Sequence, residues 1–226
     1  MPTLLLTIIV YLLAIVLSYL LGSISTSIIV SKHFYHKDIR EFGSKNAGGT
    51  NVGRVLGKKA GIVVILIDMA KAAFVYWGVY LLVKIPALND VFAPDLLISL
   101  AITALLIGHC YPLFFNFRGG KAVSTLAGFT IASNWIFTIT GLLIFLGVLK
   151  WKKYVSLSSI VTGLFLMIAS WILFFIKSPF GFYLSSTNLL FYALSMTAYA
   201  LILIYRHREN IKRLFKKGER KITWMK

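Results

Sequence analysis

AVSTLAGFTIASNWIFTITGLLIFLGVL, residues 122–149, carries no charged side chain. It could form one transmembrane helix or two shorter helices broken at Ser133-Asn134, and the choice sets the side on which every later loop lies. Hydropathy does not decide between them, but charge does. With a break, the chain crosses or enters the bilayer seven times, near residues 3–30, 61–83, 96–111, 122–134, 135–149, 154–176 and 187–206. The loop 31–60, the turn 118–121, the Lys150-Trp151-Lys152-Lys153 turn and the tail from Arg206 then share one side. Together they hold 21 of the 24 Lys and Arg residues; Lys84 and Lys177 lie opposite and Lys71 lies within a span. One unbroken helix would put the Lys150 turn and the nine positive charges of the tail on different faces, against the positive-inside rule. The expected fold is all-α: a polytopic membrane protein with seven transmembrane helices, N-terminus outside and C-terminus cytoplasmic, forming a single domain over residues 1–226.

Composition supports this reading. The chain is 58% apolar with a mean hydropathy of +0.83, above the roughly 45–50% apolar content of soluble domains. No basic residue precedes the first span and no clear cleavage site follows a short apolar core, so the span is taken as a retained helix. Positive-inside asymmetry and anionic headgroups account for most of the +17 formal charge. Nucleic acid is excluded as a partner because the cations sit in short loops pinned to the bilayer and form no nucleic-acid-binding motif. Cys110 is the only cysteine, which rules out an intrachain disulfide and a cysteine metal framework.

Polar residues gather in three places, all on the expected cytoplasmic side. The first is GSKNAGGTNVGR, residues 43–54, whose four glycines allow backbone N–H groups to converge on an anion, with Ser, Thr, Asn and Arg donors around them. Phe117-Arg118-Gly119-Gly120-Lys121 forms the second, just after Gly108-His109-Cys110-Tyr111-Pro112. A glycine pair before a helix start offers N–H groups and a positive dipole end, and Lys121 adds a point charge. Arg206-His207-Arg208-Glu209-Asn210 is the third, where His207 and Asn210 are three apart and share a helix face. No metal or other cofactor is implied, since the histidines and carboxylates have no ligand spacing.

In order and position these motifs, GSKNAGGTNVGRVLGKKAG at 43–61, GHCYPLFFNFRGGKAV at 108–123 and YRHRENIKRL at 205–214, resemble the bacterial acyl-phosphate:glycerol-3-phosphate acyltransferase family. The match spans nearly the whole chain; Tyr111 stands where the family often has Phe. The resemblance implies a seven-helix enzyme of the bacterial cytoplasmic membrane, active on the cytoplasmic face. It would transfer a fatty acyl group from acyl phosphate to the 1-hydroxyl of sn-glycerol 3-phosphate, giving lysophosphatidic acid and phosphate, the first step of phospholipid synthesis. The enzyme that makes acyl phosphate is a candidate partner. Family positions fall on Ser44, Asn46, Thr50, Asn51 and Arg54, on Gly119, Gly120 and Lys121, and on His207 and Asn210. With the cradle glycines added, the expected catalytic residues are Ser44, Arg54, Lys121, His207 and Asn210. Asn46, Gly48, Gly49, Thr50, Asn51, Gly119 and Gly120 are expected to bind substrate.

Of the seven carboxylates, Asp38, Glu41, Asp68, Asp90, Asp95, Glu209 and Glu219, no pair stands out as acid and base, and no Ser-His-Asp set can be assembled. In the resembled family a substrate phosphate is thought to take the hydroxyl proton, which leaves His207 to bind or orient phosphate. His33 and Asp38 fit an H-x4-D pattern used by a different, acyl-CoA-dependent class, but that class's second motif is absent. Asp68 and Lys71 are expected to pair within one helix, His109 to position the turn at Pro112, and Ser156, Ser158 and Ser159 to cap and pack the sixth span. Gly57 and Gly61 are expected to allow close helix approach. A transporter of a small organic phosphate is the alternative reading. It calls for polar residues through the bilayer, and apart from Asp68 and Lys71 the spans are nearly free of ionisable groups. A noncatalytic scaffold would not need three such motifs.

Overall fold

A computed structural model describes residues 2–85, 88, 93–184 and 187–222. Asp90, one of the seven carboxylates, lies outside them. The described residues are helical apart from turns and one isolated antiparallel bridge between Asn134 and Phe182. The helices are α1 (Pro2–Ser23), α2 (Thr26–Tyr35), α3 (Gly49–Leu56), α4 (Lys58–Leu82), α5 (Pro94–Cys110), α6 (Val123–Ser133), α7 (Trp135–Lys152), α8 (Val155–Phe175), α9 (Leu189–Arg206) and α10 (Arg208–Phe215).

Among the described residues six helical stretches are long and apolar enough to cross a membrane: Leu4–Tyr35, Lys58–Leu82, Pro94–Phe115, Trp135–Lys152, Val155–Phe175 and Leu189–Arg206. The expected fourth span, α6, has 11 residues. At about 1.5 Å per residue it reaches about 16 Å, half of the roughly 30 Å hydrocarbon core. Large apolar side chains such as Leu12, Leu17, Leu66, Leu143 and Leu201 are exposed, as a lipid-facing surface requires.

The break in the uncharged run falls at Asn134, where the backbone is extended. Asn134 Oδ1 accepts from Phe137 N–H and so caps α7, while its Nδ2 donates to the Phe180 carbonyl at 3.1 Å. Trp135 N–H donates to the Gly181 carbonyl and Tyr183 N–H to that of Ser133. A helix interruption inside an apolar core strands backbone groups, and here the segment around residues 180–183 satisfies them.

The first expected span, read as one stretch, is also interrupted. α1 ends at Ser23 and α2 starts at Thr26, and the Ile24 carbonyl, left without a helical donor, accepts from Lys71 Nζ. The loop 31–60 is more ordered than its glycines suggest, because half of the glycine-rich stretch is α3.

The chain forms two compact units, Met1–Phe129 and Thr130–Lys226, the division falling within α6. In the first unit α1 packs on α5 and α3 on α4, with α2 against both α3 and α4. Ile28, Ile39, Val52, Ala60 and Val64 form the apolar core beneath the first motif. α3 approaches α4 through glycine: a Cβ on Gly61 would lie 2.6 Å from Gly53 Cα. Gly57, expected to serve the same packing, has open space around it and instead supplies the φ of +103° that turns α3 into α4. In the second unit α8 packs between α7 and α9, and α10 touches α8 and α9.

Candidate functional site

Asn51 organises the first motif. It is 1% exposed. Its Nδ2 lies 3.1, 3.0 and 3.1 Å from the carbonyls of Ile39, Phe42 and Asn46, and its Oδ1 accepts from Ser44 N–H at 2.8 Å. Gly43 takes a φ of +59°, and a Cβ there would stand 2.3 Å from Asn51 Oδ1. The side chain expected to bind substrate is thus turned to the loop's own backbone, which it winds around the start of α3. Both ends of its amide are engaged within the loop, whose shape they set. Asn51→Ala is expected to cost about 2–4 kcal/mol, since buried carbonyls and an N–H lose their partner. Asn51→Asp should cost more, because a carboxylate cannot donate to the three carbonyls. Thermal melting of the two variants in detergent checks the order, and equal stability to wild type would exclude this role.

The other residues of the motif are distributed by burial. Ser44 and Asn46 are half-buried, Gly49 is buried, and Thr50 and Arg54 are exposed. Gly48 is the N-cap of α3, with no side chain closing the helix end. A Cβ on Gly49 would meet Ile65 Cγ1 at 2.4 Å, so this glycine serves packing on α4 as well as the cradle.

Asp38 and Arg40, which sequence reading did not connect, tie the first motif to the second. Arg40 Nη2 and Nε bind the Asp38 carboxylate at 2.7 and 3.0 Å, and Arg40 Nη1 donates to the Phe115 carbonyl at 2.9 Å. The guanidinium holds the Asp38 carboxyl far below the usual carboxylate range. Lys32 pairs with the same carboxylate, and His33 and His36 are exposed. The H-x4-D pattern is therefore an arginine clasp on the loop.

In the second motif Gly119 and Gly120 are buried against His109. Gly120 N–H donates to the His109 carbonyl at 3.0 Å, and Lys121, next in the chain, is half-buried. Asp68 and Lys71 pair at 3.2 Å, as their spacing suggests.

The third motif lies in the second unit. His207 is not inside a helix but joins α9 to α10; it is buried, and its Nδ1 lies 2.8 Å from the Leu203 carbonyl. A carbonyl only accepts, so Nδ1 carries the hydrogen. Asn210 donates to Glu219 Oε1 at 2.7 Å. Ser156, at the start of α8, donates to the same oxygen at 2.9 Å, and Arg213 Nε donates to Oε2 at 2.8 Å. Ile222 N–H donates to the Lys153 carbonyl, which folds the tail back on the α7–α8 turn. Nothing in the local sequence of Glu219 marks this role, because its partners lie 6, 9 and 63 residues away. Ser158 and Ser159 bond back to the carbonyls of Tyr154 and Val155, in keeping with packing roles. Among the described residues no group of His, Cys, Asp and Glu could hold a metal ion.

Residues 12–217 match the sequence profile of a family described as glycerol-3-phosphate acyltransferase. The glycerol-3-phosphate acyltransferase of Staphylococcus haemolyticus is 38% identical over 213 residues, covering 93% of this chain and 97% of the relative. That of Mycoplasmopsis synoviae is 39% identical over 221 residues, covering 93% of each. Among solved structures, the glycerol 3-phosphate form of PlsY (YgiH), an integral membrane glycerol 3-phosphate acyltransferase, superposes with a TM-score of 0.78 at 30% identity, covering 94% of this chain and 96% of that one. Its lysophosphatidic acid form gives 0.75 at 29% identity, covering 94% and 95%. On sequence and fold together, this chain is a multi-pass membrane acyltransferase belonging to the glycerol-3-phosphate acyltransferase family.

Proposed function

We propose that the protein transfers a fatty acyl group from acyl phosphate to the 1-hydroxyl of sn-glycerol 3-phosphate, forming lysophosphatidic acid and phosphate. The observation that carries this reading is the clasp between the first two motifs. Arg40 ties the glycine-rich loop, wound on Asn51, to the turn that leads into Gly119-Gly120-Lys121, so one unit holds two places suited to phosphate. The lysophosphatidic acid form of the similar PlsY structure fits the product.

Both substrates are anionic, and Coulomb repulsion opposes their approach. Arg54, Lys121 and the N–H groups at the start of α3 offset it and can stabilise the oxyanion that forms on the acyl carbonyl. The glycerol hydroxyl attacks the carbonyl carbon, the new C–O bond forms, the bond to the phosphate oxygen breaks, and the hydroxyl proton passes to a substrate phosphate. Ser44 and Asn46 supply further donors. With Nδ1 engaged by Leu203, His207 presents Nε2 as the nitrogen that orients phosphate, and Asn210 is held beside it in sequence by Glu219.

In this proposal the whole chain, 1–226, is the functional domain, because the family match runs through both units. It sits in the bacterial cytoplasmic membrane with seven helices, α6 entering as the short one. The N-terminus is outside, and the three motifs and C-terminus are cytoplasmic, as the Lys and Arg distribution requires.

The test is to give the purified protein in detergent long-chain acyl phosphate and glycerol 3-phosphate. One phosphate should be released per lysophosphatidic acid formed, and acyl-CoA should not replace the donor. If no chain length releases phosphate, transport or scaffolding takes its place.

A further inference from the structure

Asp68 and His109 are buried, at 1% and 6% exposure, in the first unit. Asp68 Oδ1 accepts from Thr26 Oγ1 at 2.8 Å and pairs with Lys71 Nζ at 3.2 Å; Lys71 also donates to Thr26 Oγ1 and to the Ile24 carbonyl. That oxygen is fully engaged. The other, Oδ2, faces His109 Nδ1 at 4.0 Å, beyond hydrogen-bonding distance but well within electrostatic range.

On its far side the His109 ring meets the second motif. A Cβ on Gly120 would stand 2.1 Å from His109 Nε2, and one on Gly119 would stand 2.2 Å from the His109 carbonyl, which also accepts the Gly120 N–H. His109 therefore holds the turn by ring and backbone together. A buried ion pair in a helix bundle is often no better for stability than well-packed apolar residues, so the pair points to something it orients. The carboxylate has one oxygen on the break between α1 and α2 and the other toward the ring on which the glycine turn rests.

We propose that Asp68 and His109 are positioning residues for acyl transfer. Asp68 orients the His109 ring, and the ring sets where the turn and the Lys121 ammonium stand. This rests on the reading that Gly119-Gly120-Lys121 receives a substrate phosphate. Neither side chain touches the reacting atoms, so their effect is on the binding of one substrate.

The test compares Lys121→Gln, His109→Gln, Asp68→Asn and the charge-neutral double variant Asp68→Leu/Lys71→Met, with palmitoyl phosphate and glycerol 3-phosphate varied in turn. Lys121→Gln identifies the substrate held by the turn as the one whose KM rises. His109→Gln and Asp68→Asn should raise that same KM by about tenfold and move the other by less than about twofold. The double variant should melt below wild type, because the Ile24 carbonyl loses its Lys71 donor, yet where folded it should keep the raised KM. A merely structural role of the pair would lower the folded fraction and leave that KM unchanged. A wild-type KM in His109→Gln, or in the folded double variant, overturns the proposal while leaving the phosphate site standing. Unchanged KM and kcat in Lys121→Gln overturn the reading of the turn and the proposal with it. If Asp68→Asn fails to fold, His109→Gln and the double variant carry the decision.

Discussion

Gly120→Ala is expected to lower acyl transfer on the order of a hundredfold, because a catalytic group displaced by about an ångström loses that much. The added methyl would stand 2.1 Å from His109 Nε2, with Cε1 and Cδ2 at 2.8 and 3.0 Å. The imidazole is rigid and buried, with Asp68 facing its other nitrogen, so it cannot swing aside as a flexible chain end would. The turn must move, and Lys121 moves with it. Stability should fall less, by about 1–3 kcal/mol, as overpacking does elsewhere. Gly78→Ala is the control: it lies in α4 with nothing within 4 Å of the added Cβ, and should gain up to about 1 kcal/mol of helix propensity without changing activity. Lysophosphatidic acid formation and thermal melting report both effects, and full activity in Gly120→Ala would show that the turn has no fixed place.

Glu219→Gln should destabilise the second unit by about 1–2 kcal/mol, since the network is partly buried and its charged partner Arg213 is half exposed. One carboxylate accepts from Asn210, Ser156 and Arg213, and its side chain is 8% exposed. A glutamine of the same shape would set its NH2 against one of these donors. Asn210 would lose its orientation, so activity should fall even where the protein still folds.

Acid should act on the same clasp. Burial alone would push the Glu219 carboxyl up, but hydrogen bonds from Asn210, Arg213 and Ser156 outweigh it and hold the group below its ordinary 4.5. A depressed carboxylate contributes stability that is complete above the ordinary value and is lost as pH falls through the lower folded-state value. Wild type should therefore lose melting temperature below about pH 4, and Glu219→Gln should have a flatter profile there. Parallel profiles would exclude Glu219 as the source.

Much of the membrane architecture was legible in the chain. The uncharged run breaks at Asn134, within the Ser133-Asn134 dipeptide named from sequence, where the Asn134 side chain caps α7 and the 180–183 segment meets the freed backbone groups. The first two motifs carry a local signal, glycine beside Ser, Asn, Arg and Lys, and the third is marked by its basic run Arg206-His207-Arg208. The use of each residue was not legible. Asn51 reads as a donor for substrate and is turned to three carbonyls of its own loop. Glu219 stands in the sequence only as one of seven carboxylates, and it accepts from Asn210 of the third motif, from Ser156 and from Arg213. The H-x4-D spacing of His33 and Asp38, set aside in the sequence for want of a second motif, holds an Arg40 contact that no local pattern marks.

The sequence by itself determined that the protein is helical and apolar enough to cross a bilayer several times, with glycine-rich and basic motifs between its apolar runs. Hydropathy, charge asymmetry and glycine content depend only on which residues are neighbours in the chain, and so are readable there. Tertiary structure alone decided that the first span breaks at Ile24, where Lys71 from another helix supplies the missing donor. It also decided that the fourth span is a short helix and that the glycine turn rests on His109. A buried hydrogen bond is satisfied by whichever group the fold brings within about 3 Å, and that group can lie anywhere along the chain.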